Sequence, residues 1–69
     1  MKNCDVRFFL GKFGDERLLF EVKNESPRIP QKGEFIYFED EMYKVLYIMT
    51  DVDHNELAIF VRHAIEEDY

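Results

Sequence analysis

Apolar and polar positions alternate with period two along most of this chain, and that rhythm predicts strands. Val6, Phe8 and Leu10 alternate with Arg7, Phe9 and Gly11. After the turn residues Phe13-Gly14-Asp15-Glu16, the set Leu18, Phe20 and Val22 alternates with Leu19, Glu21 and Lys23. A period of two sends alternate side chains to opposite faces of a half-buried strand, so residues 6–23 are expected to form a hairpin, although Phe8-Phe9-Leu10 could also open a short helix. The connector Asn24 to Gly33 contains Pro27 and Pro30. Neither proline can sit in a central strand, and each pushes the residue before it into an extended shape. Beyond it, Phe35-Ile36-Tyr37-Phe38 is a strand, Glu39-Asp40-Glu41 a polar turn and Met42 to Met49 a second strand. Asp51-Val52-Asp53-His54-Asn55 turns again, and Glu56 to Arg62 is a third strand. Short polar turns between three such runs predict an antiparallel meander. His63 to Tyr69 reads as a last short strand, a helical turn or an acidic tail.

A hairpin followed by a three-stranded meander must curl to cover its apolar face, and closure removes edges that would otherwise template aggregation. The expected fold class is therefore all-β and mainly antiparallel: one small barrel of about five strands, with a short C-terminal helical turn as one option for the last residues. Three segments carry a resemblance: Pro30-Gln31-Lys32-Gly33-Glu34-Phe35-Ile36, Tyr43-Lys44-Val45-Leu46-Tyr47-Ile48 and Leu57-Ala58-Ile59-Phe60-Val61. Together they resemble SH3-like small barrels, in which a Pro and a Gly lead into the first meander strand and a Tyr-x-Val-x-x-Val rhythm marks the next. The likeness spans residues 30–62 and implies a fold, with no activity attached. Size and cadence also look like the small single-barrel proteins carried by bacterial phages and mobile elements.

Alternation also assigns faces. Ile36 and Phe38 point one way, Phe35 and Tyr37 the other. Tyr43 and Val45 share the inner face, but Ile48 falls out of phase; a bulge near Leu46-Tyr47 would return it to the inside and bend the strand. Leu57, Ile59 and Val61 continue the interior. Phe35, Tyr37, Leu46 or Tyr47, and Phe60 are then left on the opposite face, a surplus for so small a barrel; the proposed bulge brings Tyr47 to it. Cover by the first hairpin or the C-terminal segment is the plainest account of that surplus; self-association or a partner surface are the others.

Composition narrows the class. The chain has 69 residues, 46% of them hydrophobic and 16% aromatic, with three Gly and two Pro. That is a globular profile, of a size that supports one core and one domain spanning 1–69. No apolar run approaches the roughly 18 residues of a membrane span. Met1-Lys2-Asn3-Cys4-Asp5 lacks the apolar stretch of a signal peptide. A single cysteine, Cys4, permits no internal disulfide, which makes a cytoplasmic home the expectation. The net charge is −6, and it is split unevenly. Residues 1–33 hold seven basic against five acidic side chains, whereas residues 34–69 hold ten acids against Lys44 and Arg62 alone, a net of −8. Binding to nucleic acid relies on neutralising phosphates, so direct nucleic-acid binding is not expected. Stacking of single-stranded bases on Tyr37, Tyr43, Tyr47 or Phe60 would lack the usual basic groove.

Candidate chemistry is thin. Asp51-x-Asp53-x-Asn55 spaces three oxygen ligands like the start of a calcium loop, but Glu56 stands where that loop needs Gly and Arg62 where it needs Glu. A hairpin turn accounts for the same residues. His54 and His63 have no Cys or Glu at zinc-like spacing, and Cys4 cannot be placed against either. Gly11 and Gly14 flank Lys12-Phe13 without a glycine-rich phosphate loop. No cofactor, metal or catalytic group is therefore expected.

The functional expectation is a non-enzymatic protein–protein interaction module. Its site would be an aromatic outer face of Phe35, Tyr37, Tyr47 and Phe60 with an acidic rim of Glu39, Asp40 and Glu41. Its partner would be a protein, with a homodimer through the same face as a second option. The alternative is an inhibitor, encoded by a phage or mobile element, of a host nucleic-acid-handling enzyme, with the acidic half standing in for a phosphate backbone.

Overall fold

The structure, a computed structural model, describes residues 5–22 and 29–68. Cys4, Tyr69 and the connector from Lys23 to Arg28 lie outside the described residues. Among the described residues five strands form one sheet: β1 (Asp5–Leu10), β2 (Arg17–Val22), β3 (Phe35–Phe38), β4 (Glu41–Asp51) and β5 (Glu56–His63), followed by a 3-10 turn at Glu66–Asp68. The spatial order is β2-β1-β5-β4-β3. The hairpin β1–β2 and the meander β3–β4–β5 are antiparallel as their alternation predicts. The joint between them is parallel, with Val6 beside Leu57, Phe8 beside Ile59 and Leu10 beside Val61. Phe8-Phe9-Leu10 is strand, and the C-terminal segment resolves to the helical turn. No helix among the described residues is long and apolar enough to cross a membrane.

Two bulges shape the sheet. In β4, Val45 opposes Val61 and Tyr47 opposes Phe60, which leaves Leu46 as the extra residue. Ile48 thereby returns to the inside opposite Ile59, as the out-of-phase spacing requires. The second bulge lies in the first hairpin, where Phe8 opposes Phe20 but Phe9 opposes Leu18. Leu19 is the extra residue and packs against the core, while Leu18 turns to the outer face. This corrects the simple alternation, which grouped Leu18 with Phe20 and Val22; a bulge resets the phase, and nothing in the pattern of β2 announces it.

The sheet curls into a half-barrel. Val6, Phe8, Tyr43, Val45, Ile59 and Val61 form its buried core, with Leu10, Phe20, Ile36, Phe38 and Leu57 packed around them. The edge strands β2 and β3 meet through rings: Phe8 stacks on Phe20 at 4.4 Å and Phe20 stacks on Phe38 at 4.2 Å. Offset stacks of this kind add to the area they bury, so the core's open side is held by three aromatic rings. The β3–β4 turn is a two-residue loop with Glu39 at φ 50° and Asp40 at φ 65°. That is the geometry whose twist matches a hairpin, and it favours Asn-Gly.

Two outcomes follow. Phe20→Ala is expected to destabilise the fold by about 3 kcal/mol, because it removes the middle ring of the stack, whereas Tyr37→Ala is expected to stay within about 0.5 kcal/mol. Urea unfolding of both variants beside the wild type checks this, and a larger loss for Tyr37→Ala would mean the sheet faces the other way. Replacing Glu39-Asp40 by Asn-Gly relieves two left-handed residues and is expected to raise stability by on the order of 1 kcal/mol; an unchanged midpoint would show that the turn carries no strain.

Candidate binding cleft on the outer face

Strand register lays the outer face out in rows that run across β1, β5 and β4. The first row is aromatic: Phe9, Phe60 and Tyr47. The second is Arg7, Ala58 and Met49, and the third is acidic: Asp5, Glu56 and Asp51. Over the aromatic row lies the loop between β1 and β2. Gly11 starts it at φ 113°, and a Cβ there would stand 2.8 Å from the Asp15 carbonyl oxygen, so only glycine lets the chain turn this tightly. The Gly11 N–H donates to the Val61 carbonyl at 2.9 Å, and the Phe13 N–H donates to the Tyr47 hydroxyl at 2.8 Å. These two bonds fold the loop back across the sheet, and the Phe13 ring meets Phe60 edge-on at 6.2 Å.

The expected aromatic patch therefore divides. Phe60 does lie on the predicted face, but it is only 1% exposed, covered by Phe9, Phe13 and Tyr47. It is part of a second small core and offers no open surface, because the first hairpin's own loop lies on it. Tyr47 is half-buried. Phe35 and Tyr37 are 42% and 67% exposed at the far edge on β3. Lys44 sits over the Phe35 ring at 5.9 Å, and Tyr37 donates to the Asp40 carboxylate at 3.3 Å. Glu39, Asp40 and Glu41 are exposed beside them, with Glu41 3.4 Å from His63. The predicted site residues thus share a face without forming one continuous patch.

What separates the two parts is an ion cluster. Arg62 donates to both carboxylate oxygens of Asp68, at 2.9 and 3.0 Å, and Lys44 stands 3.5 Å from the same group. Asp68 also accepts the Ile65 N–H at 2.7 Å. These donors stabilise the charged form, so its carboxyl is held far below the ordinary carboxylate value. The same pairing raises the pKa of Arg62. The cluster pins the C-terminal turn across β4 and β5.

On the other side of the aromatic row the surface opens into a cleft of about 520 Å³. Ala58 is its floor. With only a methyl group between the aromatic row and the acidic row, it leaves a depression that a longer side chain would fill. Phe13 and Val52, 65% and 82% exposed, form the two lips. Among the described residues four carboxylates line the cleft, from Glu16, Asp51, Asp53 and Glu56, against a single cation, Arg7. Arg7 is already engaged, 3.2 Å from Glu21 and 3.3 Å from Glu56. Asp51 holds His54 through its backbone N–H at 3.2 Å and its ring Nδ1 at 2.9 Å. This contact lowers the Asp51 pKa and raises that of His54. The same bonds show what Asp51-x-Asp53-x-Asn55 is locally: a side-chain-capped turn, with Asn55 at φ 56°. Among the described residues no group of three or more His, Cys, Asp or Glu is arranged to hold a metal ion.

Sequence reasoning missed the cleft. Phe9, Phe13, Met49, Val52 and Ala58 lie in three strands and two loops that meet only in the folded sheet. The one local signal was an apolar residue at the tip of two of the polar turns, Phe13 between Lys12 and Gly14 and Val52 between two aspartates, where solvated turns normally carry none.

The Asp68 cluster makes a pH prediction. Because the folded state lowers this carboxyl's pKa below its ordinary 3.8, the stability it contributes is fully present above that value. It is lost as the pH falls below that value towards the lowered folded one. Asp68→Asn is therefore expected to be less stable than wild type near neutrality and to lose less stability than wild type on going from about pH 6 to about pH 3. Urea midpoints at both pH values test this; parallel losses would mean that Asp68 plays no part in acid unfolding.

The chain matches no family model, no curated protein and no solved structure.

Proposed function

We propose that this protein is a non-enzymatic protein-binding module that uses the outer face of its sheet. The observation that supports this reading is the cleft over Ala58, which combines an aromatic wall, an apolar floor and an acidic rim on a sheet whose other face is closed. Concave apolar surface with a few convergent polar groups is where binding concentrates. Phe13 and Tyr37, exposed rings at either end of this face, are of the residue type that anchors interfaces, since they add contact area with few rotors to freeze. An SH3-like barrel origin fits the cadence of residues 30–62, and a homodimer through the same face is tested by sedimentation at rising concentration.

The second reading is the inhibitor of a nucleic-acid-handling enzyme, with a phage or mobile element as its source. The row Asp5, Glu56 and Asp51, crossing three adjacent strands, favours it. It stands second because an open apolar floor is more than a phosphate mimic requires. Such an inhibitor would displace DNA or RNA from its target, with affinity falling steeply as salt rises.

The module reading is tested by capture from cell extract on immobilised wild type, Phe13→Ala and Tyr37→Ala. A specific partner held by wild type is expected to bind roughly thirtyfold more weakly, about 2 kcal/mol, when an anchor ring is removed; Tyr37→Ala keeps its unfolding midpoint, and Phe13→Ala, which uncovers part of Phe60, is compared under conditions where urea unfolding shows it fully folded. A partner retained equally by all three proteins would place the surface elsewhere. Substrate turnover that follows the purified protein would replace the module with an enzyme.

A further inference from the structure

We infer that the cleft takes an arginine or lysine side chain from a basic, apolar-flanked segment of a partner protein, with the stem on Ala58 and the cation at Asp51 and Asp53. This rests on the reading of the outer face as a protein-binding surface, and it adds the chemistry of the occupant.

The rows set the geometry. Positions two apart on a strand are about 6.6 Å apart, so an apolar group seated over Ala58 lies one such step from the acidic row. A three- or four-carbon stem that ends in a cation fits that arrangement, apolar along its length and charged at its tip. Arg7 already does the same from within: it starts in the Ala58 row of β1 and carries its guanidinium to Glu56 in the acidic row. Across the row on β4 stands Met49, which brings no cation. Asp51 on that side has His54 as its one ionic partner among the described residues, where Asp53 makes no ion pair.

Charge complementarity favours the same occupant. Asp51 and Glu56 are directly opposed at the root of the β4–β5 hairpin, and like charges in that position are unfavourable. Arg7 relieves Glu56, and the exposed His54 relieves Asp51 only to the extent that it is protonated. A second cation entering from β4 would complete the neutralisation. An acidic segment would meet four carboxylates, and a purely apolar one would leave Asp53 facing it without a cation and Asp51 with His54 alone as its ionic partner. The neighbouring lips Phe13 and Val52 offer contacts for apolar residues that flank the cation.

The probes are fluorescein-labelled short peptides of alternating leucine and arginine, with leucine–glutamine and leucine–glutamate peptides of the same length, read by fluorescence anisotropy. The arginine peptide is expected to bind wild type at least about tenfold more tightly than either control. Asp53→Asn, at an exposed turn, and Ala58→Met, which fills the floor without entering the core, are each expected to weaken it about tenfold. Thermal unfolding confirms that both variants are folded. Glu66→Gln/Glu67→Gln, on the C-terminal turn away from the cleft, is expected to bind as wild type does. Equal binding of the glutamine peptide would overturn the cationic occupant, and an equal loss in the Glu66/Glu67 variant would reduce the effect to diffuse attraction by an acidic surface. If no peptide binds while Phe13→Ala still releases a captured partner, the occupant is wrong and the module stands. If neither effect is seen, both fail.

Discussion

One extra residue in β4, Leu46, sets both faces of this sheet. With Leu46 unpaired, Tyr43, Val45 and Ile48 share the interior face, Val45 opposite Val61 and Ile48 opposite Ile59. Tyr47 is turned to the outside against Phe60. A bulge also bends its strand and sharpens the local twist. The sheet therefore curls far enough for rings on its two edge strands to stack, and Phe20 reaches Phe38. The same turn presents the Tyr47 hydroxyl to the Phe13 N–H, so the loop between β1 and β2 lies down over Phe60. Interior curvature and outer cover have a single cause.

A chain of this size cannot bury both faces of a five-stranded sheet. The fold resolves the outer face in three ways along its length. Rings cover rings in the Phe9, Phe60 and Tyr47 row. Asp68 gathers Arg62 and Lys44 and draws the C-terminal turn across β4 and β5. Where Ala58 stands, none of the described residues fills the space and a cleft remains. Its carboxylates accumulate because the acids of the β4–β5 turn and the β1–β2 loop face each other across that gap, with Arg7 as the one cation between them among the described residues. The polarity of the cleft is thus a consequence of topology: two turns that are acidic or apolar for local reasons become the two ends of one concave surface.

The inner row of β4 and β5, the hairpins, the turns and the bulge near Leu46 were legible in the sequence. All of them follow from a period of two read over neighbouring residues, and Ile48, three positions beyond Val45, cannot face inward without an extra residue. The face of Phe35, Tyr37, Tyr47 and Phe60 was legible for the same reason. Burial on that face was not. Alternation says which way Phe60 points, but its cover comes from Phe9 and Phe13, residues more than forty positions away in the chain. The bulge at Leu19 was also hidden, because Leu18, Leu19 and Phe20 are all apolar and either phase satisfies the pattern.

Strand identity, the inward and outward facing of β3, β4 and β5, and the acidic character of the turns were determined by the sequence alone, since each depends on dihedral preference and solvation within a few residues. The tertiary structure alone decided that β5 lies parallel to β1, that Gly11 and Tyr47 fold the first loop over Phe60, and that Ala58 sits between an aromatic row and an acidic one. These are contacts between segments that share no local pattern. Which edges meet is chosen by the curl of the whole sheet, and the candidate site exists only where they do.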